Sequence, residues 1–216
     1  MIHRLRGAWN AGRLSKARTE AFSDGVFSIA ATLLVLDIRF PKLPESAGTA
    51  GLAAGLLSVL PNALAYVLSF AVVCIYWVNH HQLLMLVERV TRGLLWLNGL
   101  FLMLLAFIAF PTALIGEHPF QPLAASVYGI VMALIGLAYH LLHSYILRTP
   151  GVIPEAAAKR LRSGARLPEF SGALLYGGSA AIAWASPVAA IVLYFAIAIA
   201  FIFPHALGFA KAEGAE

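Results

Sequence analysis

This 216-residue chain has little charge and one cysteine, and both shortages exclude whole classes of protein. Asp, Glu, Lys and Arg make up 12% of it, about half of the ~25% usual in a soluble domain. The cysteine, Cys74, lies inside an apolar run, so a disulfide framework or thiolate cluster is excluded and a small buried hydrophobe remains. The sequence has no TVGYG-like carbonyl filter, arginine-rich voltage-sensing helix, phosphate loop or serine nucleophile elbow. His80 and His81 are adjacent, so they point in different helical directions, and no third ligand at useful spacing accompanies them. His118, His140, His143 and His205 share no metal or haem spacing. These absences speak against an enzyme and against a tightly held metal or cofactor.

What is present is apolar. Hydrophobic residues form 61% of the chain, and the mean hydropathy is +0.83. They come in long blocks rather than short alternating strands, which is the pattern of an all-α integral membrane protein. Six spans are expected, over 22–40, 52–78, 93–115, 123–147, 171–185 and 188–204. Pro41 and Pro44 stop the first, since neither proline nor the residue before it continues a helix readily. Pro61-Asn62 is expected to bend the second, and Asn79, His80, His81 and Gln82 to open a tight turn after it. Gly116, Glu117, His118 and Pro119 break the third. Ser186-Pro187 splits the last apolar stretch into a close hairpin, and the Ala-rich middle of the 148–169 link suits an amphipathic surface helix. Pro111, Gly129, Gly136, Gly177 and Gly178 read as bends or close helix contacts.

The net charge of +5 is gathered into short segments, so the basicity makes no nucleic-acid-binding face. Thirteen Lys and Arg fall before the first span, in the second–third and fourth–fifth links, and after the last, whereas the opposing loops hold Arg39 and Lys42. That bias places both termini in the cytoplasm of a multi-pass protein in the cell inner membrane or plasma membrane. The basic N-terminus resembles the start of a signal peptide, but no Ala-x-Ala-like site follows, and a retained first helix is expected. The organisation is then a basic cytoplasmic tail over 1–17, a six-helix transmembrane unit over 18–207 and a short cytoplasmic tail over 208–216.

The first span carries the most information. At 100° per residue, Ile29, Leu33 and Leu36 form one narrow stripe that Phe22 and Phe40 extend, with Ser28 and Thr32 flanking it and Asp24 nearly opposite. Around a shared axis this stripe would make stacked apolar rings able to gate by dewetting; alone, it would face lipid or pack against another helix. Ser23-Asp24 can cap the helix start. A carboxylate at the edge of the hydrocarbon layer needs satisfaction, and Arg18 or His80 could supply it, with Asn98 a further partner. Trp77 suits the interface at the end of the second span. Free histidine titrates near neutrality, so a proton-sensing role for His80 stands beside a structural one and below it. Asp37 and Glu45 would raise local cation concentration at an outer mouth, opposed by Arg39 and Lys42.

Arg18-x-x-x-Phe22-Ser23-Asp24 followed by Gly25-Val26-Phe27-Ser28-Ile29-Ala30-Ala31-Thr32-Leu33-Leu34-Val35-Leu36 resembles the signature of the prokaryotic TMEM175 family, bacterial relatives of the lysosomal potassium channel. Tyr76-Trp77-x-x-His80-His81 and Asn98 add to the likeness. The resemblance implies a potassium-permeable channel of four six-helix chains whose first helices line the pore. It implies the narrow constriction at Ile29, with Leu33 and Leu36 as the layers beyond and Thr32 as a hydroxyl contributing to cation preference. Arg18, Phe22, Ser23, Asp24, Trp77, His80 and Asn98 would form the network that supports the pore helix. Its partners would be further copies of itself, membrane lipid, and potassium and other monovalent cations, the permeant ion taking the place of any cofactor. A secondary transporter using alternating access is the rival reading.

Overall fold

The computed structural model describes residues 15–164 and 170–203. Every named element within them is a helix, with one isolated bridge between Pro150 and Ile153. Helix α1, Lys16–Leu33, tightens into a 3-10 turn over Leu34–Asp37. After Pro41 and Pro44, a second 3-10 turn at Glu45–Ala47 leads into α2, Gly48–Ser58. Helix α3, Leu60–Met85, starts after a break at Val59, with Pro61 in its first turn where a missing N–H costs nothing. The bend therefore precedes Pro61 instead of following it.

Helix α4, Arg92–Ala106, begins at Thr91, whose hydroxyl accepts from the Leu94 N–H at 3.2 Å. It is offset from α5, Ala109–Glu117, at Phe107-Ile108. Pro111 explains the offset. It has no N–H to give the Phe107 carbonyl, which the Phe110 N–H takes at 3.2 Å. Helix α6, Pro122–Arg148, has its proline at the N-terminus, and α7 covers Glu155–Gly164. The last pair, α8 at Ser171–Ile182 and α9 at Pro187–Ile202, is separated at Ser186-Pro187, where the Ser186 hydroxyl accepts from the Ala189 N–H. The 1–14 and 208–216 portions of the expected tails lie outside the described residues, and α1 begins within the tail at Lys16.

One boundary differs in kind. Asn79, His80, His81 and Gln82 are not a turn; α3 runs through them to Met85. The polar run resembles a loop in sequence because a helix that buries one polar residue on a neighbour still leaves the next on the outside.

Lys16–Asp37, Glu45–Met85, Arg92–Glu117 and Pro122–Arg148 are long and apolar enough to cross a membrane. The protein is therefore an all-α multi-pass membrane protein. With twelve residues, α8 reaches only about 18 Å of a ~30 Å hydrocarbon layer.

Helix α6 holds the middle, packed by α4, α5, α8 and α9, while α1 rests on α3 and α4. Hydroxyls join the buried faces. Ser69 meets Thr112 at 2.6 Å and Tyr128 at 3.1 Å, linking α3, α5 and α6. The Tyr194 hydroxyl donates to the Ala125 carbonyl and Ser126 to that of Ala180. Gly129 lets these helices touch, because a Cβ there would meet the Tyr194 hydroxyl, Ala180 Cβ at 2.8 Å and the Tyr176 carbonyl at 2.9 Å. Gly129→Ala should lower stability by about 1–3 kcal/mol, the usual cost of overpacking, read as a fall in melting temperature of the purified protein.

Candidate functional site

Helix α1 is held by one stripe. Thr19, Ser23, Phe27, Ala30 and Leu34, spaced four, four, three and four apart, are buried against α3 and α4. Taking the centre of that stripe as reference, Ile29 and Leu33 lie roughly 100° to one side and Asp24 roughly 100° to the other. Ile29, Leu33 and Leu36 are 59%, 46% and 65% exposed, and Phe22 is exposed with them. A face this apolar is stable only against lipid or another helix, or around a dry constriction.

The N-terminal half of α1 is anchored by polar groups from three helices. Ser23, His80 and Asn98 are each at least 98% buried. The Asn98 side-chain N–H₂ donates to the Ser23 hydroxyl at 3.0 Å, and its carbonyl oxygen lies 2.7 Å from His80 Nε2. That oxygen can only accept, so His80 carries its proton on Nε2. Ser23 in turn donates to the Thr19 carbonyl at 2.8 Å. Asn98 thus ties α1 to α3 through α4, with both ends of its amide satisfied.

Asp24 belongs to a second contact. Its carboxylate accepts from Trp77 Nε1 at 3.0 Å, and Trp77 stacks on His81 at 5.9 Å. Neither Arg18 nor His80 is its hydrogen-bond partner. His80 is committed to Asn98, and the exposed Arg18 makes no ion pair with Asp24. Instead Lys16, on the helix turn before, donates to the Met85 carbonyl at 2.9 Å and lies 3.8 Å from Glu20.

Rings complete the joint. Phe27 meets His80 at 5.3 Å and Phe101 at 6.0 Å; Phe101 stacks on His80 at 5.8 Å. Tyr76 and Tyr139 close on the other side of Phe101, at 5.6 and 5.4 Å. Sequence reasoning singled out Ser23, Asp24, Trp77, His80 and Asn98 but missed Lys16, Phe27, Phe101 and Tyr139. The spacing of Phe27, eight residues beyond Thr19 and four beyond Ser23 and so on one helical face with them, was the available signal.

Thr32 is exposed, and its hydroxyl donates inside α1, to the Ser28 carbonyl at 2.9 Å or that of Ile29 at 3.1 Å. Its oxygen lone pairs remain free to face outward. At the far end, Asp37 is half-buried with one carboxylate oxygen enclosed and without a hydrogen-bond partner among the described residues, whereas Glu45 is exposed. Among the described residues, no cluster of three His, Cys, Asp or Glu is placed to hold a metal.

These features define an α-helical multi-pass membrane protein whose helix α1 is joined to α3 and α4 by buried polar groups and rings. Residues 18–109 match the family model described as endosomal/lysosomal potassium channel TMEM175. A potassium channel of Chamaesiphon minutus is 43% identical over 145 residues, covering 65% of this chain and 70% of that protein. One from a Chryseobacterium is 33% identical over 191 residues, covering 88% and 94%. The crystal structure of a lysosomal potassium-selective channel TMEM175 homolog from Chamaesiphon minutus superposes with a TM-score of 0.71 at 37% identity, over 88% of this chain and 97% of that one. The chain belongs to the TMEM175 family.

Proposed function

We propose that the chain is a subunit of a potassium-permeable channel, four copies of which surround a central pore lined by α1. The observation that carries this reading is the division of α1 into an anchored stripe and a bare apolar face bearing Ile29, Leu33 and Leu36. The relatives named as potassium channels support it. Each subunit crosses the membrane six times, with α8 and α9 as the last two crossings and both termini in the cytoplasm. The bias of Lys and Arg supports that orientation.

In this arrangement Ile29 forms the narrow layer, and Leu33 and Leu36 extend it. Apolar rings exclude water when closed and hold ions weakly when wet, so flux is passive and release is fast. Selectivity arises without a carbonyl filter, and the outward lone pairs of Thr32 favour a partly dehydrated cation beside the constriction. Asp24 stays off the axis, held by Trp77 on its own subunit. Arg18 and Phe22 flank the cytoplasmic entrance, and the Ser23–Asn98–His80 chain fixes the rotation of α1 on which the rings depend.

Planar-bilayer recording of the purified protein under a potassium/sodium gradient tests this directly. Large unitary currents reversing toward the potassium potential are expected, together with a native mass of four chains. Saturable flux coupled to a second ion would overturn the channel in favour of alternating access. A protein silent under every gradient would overturn both.

A further inference from the structure

Behind the joint that holds α1 lies a cavity that the channel reading leaves unused. It has a volume of about 80 Å³ and sits between α3, α6, α8 and α9. Tyr76, Asn79, Tyr139 and Tyr176 give it polar walls, and Val72, Ile75 and Phe201 give it apolar ones. Gly136, Gly172 and Ala173 keep it open; a Cβ on Gly136 would stand 3.2 Å from the Tyr76 hydroxyl.

Two hydroxyls in this wall stand out. Tyr176 is 4% exposed, and neither its hydroxyl nor that of Tyr76 has a hydrogen-bond partner among the described residues. Both residues line accessible space, so their hydroxyls are open to water or to a guest that can hydrogen-bond. Water alone would satisfy them, and the cavity has room for several waters. The apolar half of the lining would then face water, which is unfavourable. A guest with a hydroxyl at one end and a short hydrocarbon at the other satisfies both halves. Size narrows the choice, because a 150 Å³ cavity accommodates benzene and this one is about half of that.

We propose that this cavity is a binding site for a short-chain alcohol of two to four carbons, and that its occupancy is transmitted to α1. The link is the column of rings behind α1. Tyr76 lines the cavity and touches Phe101, and Phe101 touches Phe27 on α1 and His80, which holds Asn98. A guest that shifts the Tyr76 ring moves the packing partner of the α1 anchor. The effect on flux rests on the channel reading; the binding does not.

The two parts separate in experiment. A photoactivatable four-carbon alcohol, applied to the purified full-length protein, should label Tyr76, Ala173 or Tyr176, with excess 1-propanol protecting them. Gly172→Ala should fold normally, because its methyl meets Phe201 at an ordinary 3.4 Å, and it should sharply reduce labelling by narrowing the cavity. Tyr176→Phe keeps the shape and removes a donor, so labelling should fall about fivefold, the loss of one neutral hydrogen bond. Labelling spread over outward residues such as Leu174, or unchanged in both variants, would overturn the site.

In flux assays, alcohol sensitivity should rise with chain length and stop near butanol. Action through the bilayer would instead keep rising, by about fourfold for each added CH₂. A rise without a cut-off, equal in wild type and Gly172→Ala, would overturn the coupling. Protein that labels in the cavity but carries no current would remove the channel reading and leave the site standing.

Discussion

Ile29→Asn should enlarge the potassium current and weaken discrimination against sodium. Ile29 projects from the bare face of α1, one turn before Leu33, and is 59% exposed. In a fourfold assembly every substitution is repeated four times at one level. Four isoleucines there make a layer that water leaves; four asparagines offer amide donors and acceptors that keep it wet. Fully burying one isoleucine side chain is worth about 1.5–3 kcal/mol, so even a fraction of that change in wetting energy matters to the barrier. A barrier lowered by 1.4 kcal/mol raises the rate about tenfold, and conductance should increase on that order. Because the substitution lies on the exposed arc, it disturbs none of the contacts of Ser23, Phe27 or Ala30 with α3 and α4. Single-channel recording checks the result, with Leu174→Asn on α8 as the control at a different exposed position. Unchanged conductance and reversal potential in Ile29→Asn would remove this residue from the permeation path, whatever the fate of the channel itself.

The parts of this structure that could be read from sequence are those fixed by local chemistry. Proline has no N–H to give a helix interior, so the stops near Pro41, at 116–119 and at Ser186-Pro187 were visible in the chain. The helical repeat likewise separated Ile29, Leu33 and Leu36 from Asp24 before any coordinates. What could not be read was partnership. Asp24 sits within reach of several polar groups by sequence argument, and only the packing of α1 on α3 assigns it to Trp77, fifty-three positions away. The Asn98–Ser23 bond spans seventy-five positions. The Asn79–Gln82 run misled for the same reason. Its polarity signals a loop unless one knows that α4 brings Asn98 to meet His80. Ser69, Thr112 and Tyr128 drew no notice because a hydroxyl in an apolar run looks alike whether it bonds its own helix or a neighbour's. Thr112 does both, donating to the Ile108 carbonyl while sitting 2.6 Å from Ser69, whose hydroxyl supplies the proton between them.

That dependence on long-range partners makes Asn98 the most sensitive single position in the joint. Asn98→Ala deletes two buried hydrogen bonds at once and leaves His80 Nε2 and the Ser23 hydroxyl in an apolar interior. Ser23 keeps its bond to the Thr19 carbonyl, so the larger loss falls on His80, whose N–H then has no acceptor. Interhelical hydrogen bonds in membranes average about 0.6 kcal/mol when both partners are accounted for, but a stranded buried donor costs about 1–3 kcal/mol. The second figure governs here, because the surrounding rings of Phe27 and Phe101 leave His80 no polar alternative. Asn98→Ala should therefore lose about 1–3 kcal/mol, read as a lower melting temperature. On the proposed channel reading it should also alter potassium current, since α1 loses its tie to α3 through α4. Ser23→Ala serves as the companion in a double-mutant cycle: it strands one Asn98 donor but leaves the His80 bond intact, so its cost should be smaller. In the double mutant the Ser23–Asn98 bond is already gone, so the two losses should sum to more than the combined effect. Strictly additive losses would mean that the Ser23–Asn98 pair is not coupled and that α1 is held by its other contacts.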